Sequence, residues 1–297
     1  MNKAKNIKNW YYLAGPIALV AFICLDFVAG LNYPGYDWAN QSFLDLLAQD
    51  SYDVILATVF VAITLCLVIA ATYSVCQFGK ANKKLNGVFT KGLAVMFCAA
   101  IVLLLSFTFV RVPNAGSEPY SNQLALEYKT LCEEQADLQD EYNAMVAGDA
   151  VEDENGEILA TDDQSIADKQ TEIDTKVEEA SSKLEEWEGY ESEPFFAVLN
   201  VMQIIVVVMM LVGALMTAIF GFKRGNIKSF AIAAIVCGLA TIVPVVFVSL
   251  SVVPNIVFTF EGAYGIWFRI YAYAPVLFVA FVSAWIYSYE PVPVKRK

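Results

Sequence analysis

Apolar residues are gathered into six long runs along this chain, and each run is long enough to cross a membrane. The hydrocarbon core of a bilayer is about 30 Å thick, so a helix needs roughly 20 apolar residues to span it. A single run within that core must be helical, because every backbone amide and carbonyl has to be paired internally. We therefore predict six membrane-spanning helices, at approximately residues 11–31, 54–77, 92–111, 195–221, 229–252 and 264–289.

About 80 residues between the third and fourth runs follow a different, largely polar pattern. Apolar and amphipathic positions recur there in two stripes, with alternating spacings of four and three residues that are typical of helices packed along a narrow seam. Asn155-Gly156 lies between the stripes and is a strong signal for a tight turn. The pattern predicts an all-α membrane protein with an antiparallel coiled-coil hairpin between its third and fourth spans. The seam residues that we expect to pack are Leu124, Leu131, Leu138, Ile173, Val177 and Leu184.

This arrangement divides the chain into three parts. Residues 1–112 hold the first three spans, residues 113–194 the hairpin, and residues 195–297 the last three spans with a basic tail. The first run follows a basic start, as signal peptides do, but it lacks a small-x-small cleavage site. We therefore expect it to remain as a membrane anchor.

The charges of the short connections predict the orientation of the chain. Positively charged residues favour the cytoplasmic side of a membrane, and with six spans the cations of the termini and of the short connections share one side. These cations are Lys3, Lys5, Lys8, Lys80, Lys83, Lys84, Lys91, Lys223, Arg224, Lys228, Lys295, Arg296 and Lys297. Both termini are therefore predicted to be cytoplasmic in a plasma membrane, and the hairpin extracytoplasmic.

The net charge of −12 conceals two opposite parts of the molecule. Residues 114–193 contain 24 acidic and 4 basic residues, a net charge of −20, and the remainder has 15 basic and 7 acidic residues, a net charge of +8. So acidic an outer region would repel phosphates, which makes a nucleic acid an unsuitable partner. The lipid bilayer and an envelope protein bound by the hairpin are the partners that the pattern favours.

Candidate chemistry is limited by the absence of histidine from the sequence. Without histidine, Ser-His-Asp and Cys-His catalysis and histidine-bound zinc or haem are excluded. The sequence also lacks a Cys-x-x-Cys pair, a phosphate-binding glycine loop and a dinucleotide fingerprint. We therefore predict no catalytic residue, no cofactor and no metal site.

Five of the six cysteines fall within the apolar runs, where cysteine behaves as a small apolar residue. Cys132 alone lies outside them. It either links two copies of the chain or remains a reduced residue in the hairpin, and a homo-oligomer is therefore a possible assembly.

Three charged residues fall inside or at the ends of the apolar runs. Asp26 lies about five residues, or roughly 8 Å, from the outer end of the first run, and Arg269 enters the sixth run at a similar depth. Because an ionised side chain in a membrane normally faces the bundle interior and pairs, we predict that Asp26 pairs with Arg269, with Arg111 as the alternative. Such a pair either fixes the packing of the bundle or forms a polar gate.

The loop at residues 33–52 is predicted to lie at the outer membrane surface. Ala39, Phe43, Leu46 and Leu47 would fall on one face of a short helix, with Asp37 as its cap. The loop is rich in tyrosine and tryptophan, which favour the boundary between lipid and water. Two interpretations stay open: the helix rests on the membrane, or it is a lid over a central cavity.

One motif in this loop resembles that of a known family. Its residues are Tyr33, Pro34, Gly35, Tyr36, Asp37 and Trp38, followed by Gln41, Ser42, Asp45 and Leu46. They are similar to the first outer loop of the uncharacterised bacterial six-span membrane family numbered 998 in the domain-of-unknown-function series. The likeness covers roughly residues 10–112. It implies six spans and a bacterial plasma membrane, and it carries no activity.

These observations favour a non-enzymatic membrane protein whose hairpin contacts another envelope protein. The main alternative is a transporter or lipid-handling protein, in which polar residues of several spans would converge on a cavity. Asn200 and Gln203 are its candidates, with Pro244 and Pro275 able to interrupt helices. An intramembrane enzyme is the third possibility.

Overall fold

A computed structural model describes residues 10–33, 36–42, 44–48, 54–81, 87–109, 117–147, 163–191, 194–223, 228–251 and 264–288. Every regular element in these ranges is helical. The long helices are α1 (Tyr11–Asn32), α2 (Val54–Ala81), α3 (Gly87–Phe109), α4 (Ser117–Ala147), α5 (Asp163–Glu191), α6 (Pro194–Lys223), α7 (Lys228–Ser251) and α8 (Tyr264–Ser288). Six of them, α1 to α3 and α6 to α8, are long and apolar enough to cross a membrane.

The prediction of six long apolar helices is therefore confirmed, with small shifts at their ends. The largest shift is in α3, which begins at Gly87 and so takes Lys91 into its first turns. A lysine is tolerated there because its side chain is exposed and its long apolar stem can follow the helix surface.

α1 is interrupted near its end by one π-helical turn, Leu25–Ala29. A π turn inserts one extra residue into an α-helix, and such turns recur at functional positions. Asp26 lies within this turn and is 3% exposed.

The six apolar helices, apart from the last residues of α7, belong to one compact unit, and α8 is the most buried of them. α8 packs against α1, α2 and α3. Edge-to-face aromatic pairs join α8 to α3 through Phe278 and Phe97, and to α7 through Trp285 and Phe230. A buried helix must be apolar on most of its circumference, so a charged residue on it requires buried partners.

The other compact unit groups residues 118–193, which include nearly all of α4 and the whole of α5, with residues 247–260, whose described part is the end of α7. Both helices are amphipathic and far more polar than the spans. Lysines of α5 contact glutamates of α4 in reverse sequence order, so the two helices are antiparallel. The turn predicted at Asn155-Gly156 lies outside the described residues.

Candidate functional site

Asp26 and Arg269 form a buried ion pair between α1 and α8. Arg269 donates from Nε to Oδ2 of Asp26 over 2.8 Å and from Nη2 to Oδ1 over 3.0 Å. Only 14% of the Arg269 side chain and 5% of the Asp26 side chain are exposed. Two parallel hydrogen bonds between a guanidinium and a carboxylate make this a strong and directional contact.

The remaining donors of Arg269 bind a loop from another part of the chain. Nη1 donates to the carbonyl oxygens of Trp38, Gln41 and Gly265, over 2.7, 2.9 and 3.1 Å. We call residues 36–42 and 44–48 the strap. Its path over α8 is fixed at a second point, where the amide of Ile266 donates to the carbonyl of Ala39 over 3.3 Å.

Two tyrosines complete the network. Tyr36 accepts a hydrogen bond from Nη2 of Arg269 over 2.7 Å and donates to the carbonyl of Ser42 over 2.8 Å. Tyr273, one helical turn after Arg269, donates to Oδ2 of Asp26 over 3.1 Å. Burial raises the pKa of the Tyr36 phenol well above its usual value, although the Arg269 charge opposes the shift. Tyr36 therefore stays neutral and serves as both donor and acceptor.

The short helix predicted around residues 39–47 is wrong in its form. The chain makes a turn at residues 38–40 and a separate 3₁₀ turn at Asp45–Leu47. The carbonyls of Trp38 and Gln41 accept hydrogen bonds from Arg269. In a continuous α-helix these carbonyls would instead accept from backbone amides four residues later.

Asp37 caps the first turn of the strap, as its position suggested. The amide of Ala39 donates to Oδ1 of Asp37 over 2.9 Å, and the side chain of Asn40 donates to Oδ2 over 2.6 Å. These bonds stabilise the ionised carboxylate and lower the pKa of Asp37.

The strap does not simply rest on a surface. Ser42 and the run from Leu44 to Ala48, including Asp45, are fully buried within the helical unit. The interpretation that the loop lies flat on the membrane is therefore wrong for these residues. Their apolar side chains join the main core.

The structure places the predicted motif residues unevenly. Tyr36, Trp38 and Gln41 contact Arg269 directly, whereas Tyr33 touches the ring of Tyr36 at a centroid distance of 5.7 Å. Pro34, Gly35 and the alternative partner Arg111 lie outside the described residues. The role of Tyr273 was missed, although its spacing of four residues from Arg269 places both on one helix face.

A ladder of three ion pairs joins α5 to α4. Lys169, Lys176 and Lys183 follow one another at seven-residue intervals, and each contacts a glutamate of α4. Their partners are Glu141 at 2.7 Å, Glu134 at 2.8 Å and Glu127 at 3.0 Å. Each lysine also contacts a glutamate three residues later in α5. The partners step down α4 by seven residues, so the ladder sets the antiparallel register.

Burial varies along the predicted seam. Leu124, Ile173 and Ala180 are buried, and the predicted residues Leu131, Leu138 and Leu184 are half-buried. Val177 is 40% exposed, more than the other predicted seam residues. The lysines of the ladder, only 16–29% exposed, stand beside the seam and cover it with their apolar stems.

The two polar candidates for a transport cavity both lie on α6. Asn200 is exposed and Gln203 is half-buried on α6. Within the described helices, a small apolar cavity lies between α2, α3, α7 and α8, lined mainly by Phe78, Phe89, Phe230 and Trp285. No group of three or more metal-ligating side chains occurs among the described residues.

All six cysteines are free thiols in this single chain. Cys132 is half-buried on α4.

Comparisons with family models, curated proteins and solved structures find no match to this chain. The resemblance of the motif at residues 33–46 to the family numbered 998 therefore stays a prediction.

Proposed function

We propose that this chain is a multi-pass plasma-membrane protein that presents an acidic coiled-coil hairpin outside the cell to bind another envelope protein. The ladder between α4 and α5 is the observation that carries the proposal. α5 contains three lysines, and all three face α4. The outward face of α5 therefore keeps its acidic residues without a neutralising lysine.

The acidic outward face is formed by exposed residues that follow helical spacing, Asp174, Glu178, Glu185 and Glu188. Thr175, Ser181 and Ser182 lie between them and are also exposed, so the face is polar as well as charged. A partner with a basic surface has the complementary charge, and steering by opposite charges speeds the association of such partners. The hairpin is thereby a platform for a protein with a lysine- or arginine-rich surface.

The unit that contains the six apolar helices supports the same proposal, because it would anchor the hairpin in the membrane. The donors of Arg269 are all used by groups of its own chain, and Asn200 of α6, a candidate for a transport cavity, is exposed. The likeness of the motif at residues 33–46 to the six-span family numbered 998 also agrees with a bacterial plasma membrane.

Photo-crosslinking in intact cells tests the proposal. A photoreactive residue at Glu178 should give a discrete protein adduct, and one at Val208, exposed on α6, should not give that adduct. A second reporter protein carries the photoreactive residue at Asp174. In this protein the double substitution Glu178→Lys and Glu185→Lys should strongly reduce the adduct. The matched reversal Asp137→Lys and Asp140→Lys, on the exposed face of α4, should preserve it. Equal adducts in the two reversals would contradict binding through the face of α5.

A further inference from the structure

The guanidinium of Arg269 is enclosed by groups that match its shape. An arginine has five N–H donors in one plane. In this structure they meet six acceptors: two oxygens of Asp26, the Tyr36 hydroxyl, and the carbonyls of Trp38, Gln41 and Gly265. The three acceptors at Nη1 share two hydrogens, so no donor of the guanidinium remains unused.

Aromatic rings contribute a further part of this enclosure. The Cζ atom of Arg269 lies 5.0 Å from the ring centroid of Trp38 and 5.6 Å from that of Tyr36. Both distances are within the range of a cation–π contact. The two rings also pack against each other edge to face at 5.3 Å, which fixes their orientation.

Two glycines permit the strap to approach this closely. A Cβ atom on Gly265 would collide with the carbonyl oxygen of Gln41 and lie 2.8 Å from that of Trp38. A Cβ atom on Gly30 would lie 2.6 Å from the indole ring of Trp38. The enclosure is thus shaped by α1, the strap and the first turns of α8 together.

We propose that Arg269 is an internal ligand around which the strap folds, and that the surrounding groups form a recognition site specific for a guanidinium. The strap contributes three of the six acceptors and both aromatic rings. Without the guanidinium, the carbonyls of Trp38 and Gln41 and the Asp26 carboxylate would remain buried but would lose their hydrogen bonds to Arg269. Such losses are costly, so the strap should open to water.

The specificity follows from the number and geometry of the donors. An ammonium group has three donors in a tetrahedral arrangement, whereas a guanidinium has a planar fork. A lysine at position 269 could satisfy at most half of the six acceptors. A positive charge alone is therefore insufficient, which separates this proposal from a simple ion pair.

Chemical rescue in the full-length protein tests the proposal. A reporter cysteine replaces Leu46, which is 1% exposed, in a background with Cys132→Ser. Its reaction with a water-soluble maleimide measures opening of the strap, after subtraction of labelling in the same background without the reporter. Arg269→Ala should raise the rate about tenfold or more, since each hydrogen bond to a charged group contributes at least about that factor. Lys91→Ala, which removes an exposed cation on α3, should leave it unchanged.

Ethylguanidinium added to the Arg269→Ala protein should restore protection of the reporter in a saturable manner. Ethylammonium at equal concentration and ionic strength should not. Equal rescue by both cations, rescue by neither, or unchanged labelling in the variant would overturn the proposal.

Arg269→Lys keeps the charge and provides a second test if the alanine variant does not fold. Folding is checked by size-exclusion chromatography in detergent. The lysine variant should label faster than the parent despite its positive charge, and labelling equal to the parent would overturn the guanidinium specificity. These outcomes do not depend on any partner of the hairpin.

Discussion

Arg269 and Asp26 lie 243 positions apart in the sequence, yet they make two hydrogen bonds of 2.8 and 3.0 Å to each other. The contact joins the first and last apolar helices and closes the helical unit at one end. A charge buried in an apolar bundle is costly unless it is paired. The pair is therefore a condition for the packing of α1 against α8.

Removing either partner should destabilise the unit that contains the six apolar helices. Asp26→Asn or Arg269→Gln leaves one buried charge without its partner, which typically costs about 3–5 kcal/mol. The double variant should lose less than the sum of the single losses, because no charge remains uncompensated. Thermal unfolding in detergent measures this cycle, with Lys91→Ala as a control at an exposed charged residue of α3. Strictly additive losses would show that the two side chains do not act together.

The spans could be predicted from the sequence because their signal is local. Twenty apolar residues in succession have one solution in a bilayer, and no distant residue has to be known. The Asp26–Arg269 contact followed from similar reasoning, because two opposite charges at similar depth have few other partners. Both inferences use only the position of a residue within its own run.

The strap could not be predicted in the same way. The periodicity of Ala39, Leu46 and Leu47 favours a helix, but a guanidinium more than 220 positions away binds the carbonyls that a helix would use. The ladder was missed for another reason. Lys169, Lys176 and Lys183 are charged, so a pattern of apolar positions does not include them. Their apolar stems nevertheless cover the seam, and glutamates recur in α4 at the same seven-residue interval.

The topology predicted from the basic connections can be measured by cysteine labelling in intact cells. A membrane-impermeant maleimide should modify a cysteine at Gly148 and should not reach one at Asn82 or Gly225. The physical reason is that cationic connections are retained on the cytoplasmic side. Permeabilised cells provide the control, since all three positions should then react. Labelling at position 82 in intact cells would exclude the arrangement with both termini inside.

The hairpin seam should respond to a charge at its buried positions only. Ile173→Asp places a carboxylate at a side chain that is 3% exposed, and Val177→Asp places the same carboxylate where the side chain is 40% exposed. Circular dichroism of a fragment containing residues 113–194 should show a large loss of helix for the first variant and a minor loss for the second. A similar response to both would place Val177 in the seam.

The ladder should set the register through complementary charge. Lys169→Glu replaces an attraction with Glu141 by a repulsion, so the hairpin should lose about 1 kcal/mol or less, as for pairs near a surface. The exchange Lys169→Glu with Glu141→Lys should recover most of the loss. Urea unfolding followed by circular dichroism gives both values. Failure of the exchange to recover stability would assign the effect to the stem of Lys169 instead of its charge.

Acid should remove the contribution of Glu127 to the hairpin. A hydrogen bond from Gln123 and then the contact with Lys183 lower the pKa of Glu127 from its usual value of 4.5. A carboxylate whose pKa is lower in the folded state stabilises that state fully above its unfolded pKa, and loses the effect as pH falls through the folded pKa. The stability difference between the parent hairpin and Glu127→Gln should therefore be constant above about pH 5 and shrink below the usual carboxylate pKa.

The comparison with Glu127→Gln is needed because the hairpin carries many other acids. Their mutual repulsion is relieved by protonation, which opposes the loss at Glu127 and is common to both proteins. Thermal midpoints measured from pH 7 to pH 2 give the difference at each pH. Glu188→Gln, at an exposed acid for which no ion pair occurs among the described contacts, serves as the control for the removal of one negative charge. A difference for Glu127 that grows as the pH falls would mean that the carboxylate is destabilising in the folded hairpin, contrary to its contacts with Gln123 and Lys183.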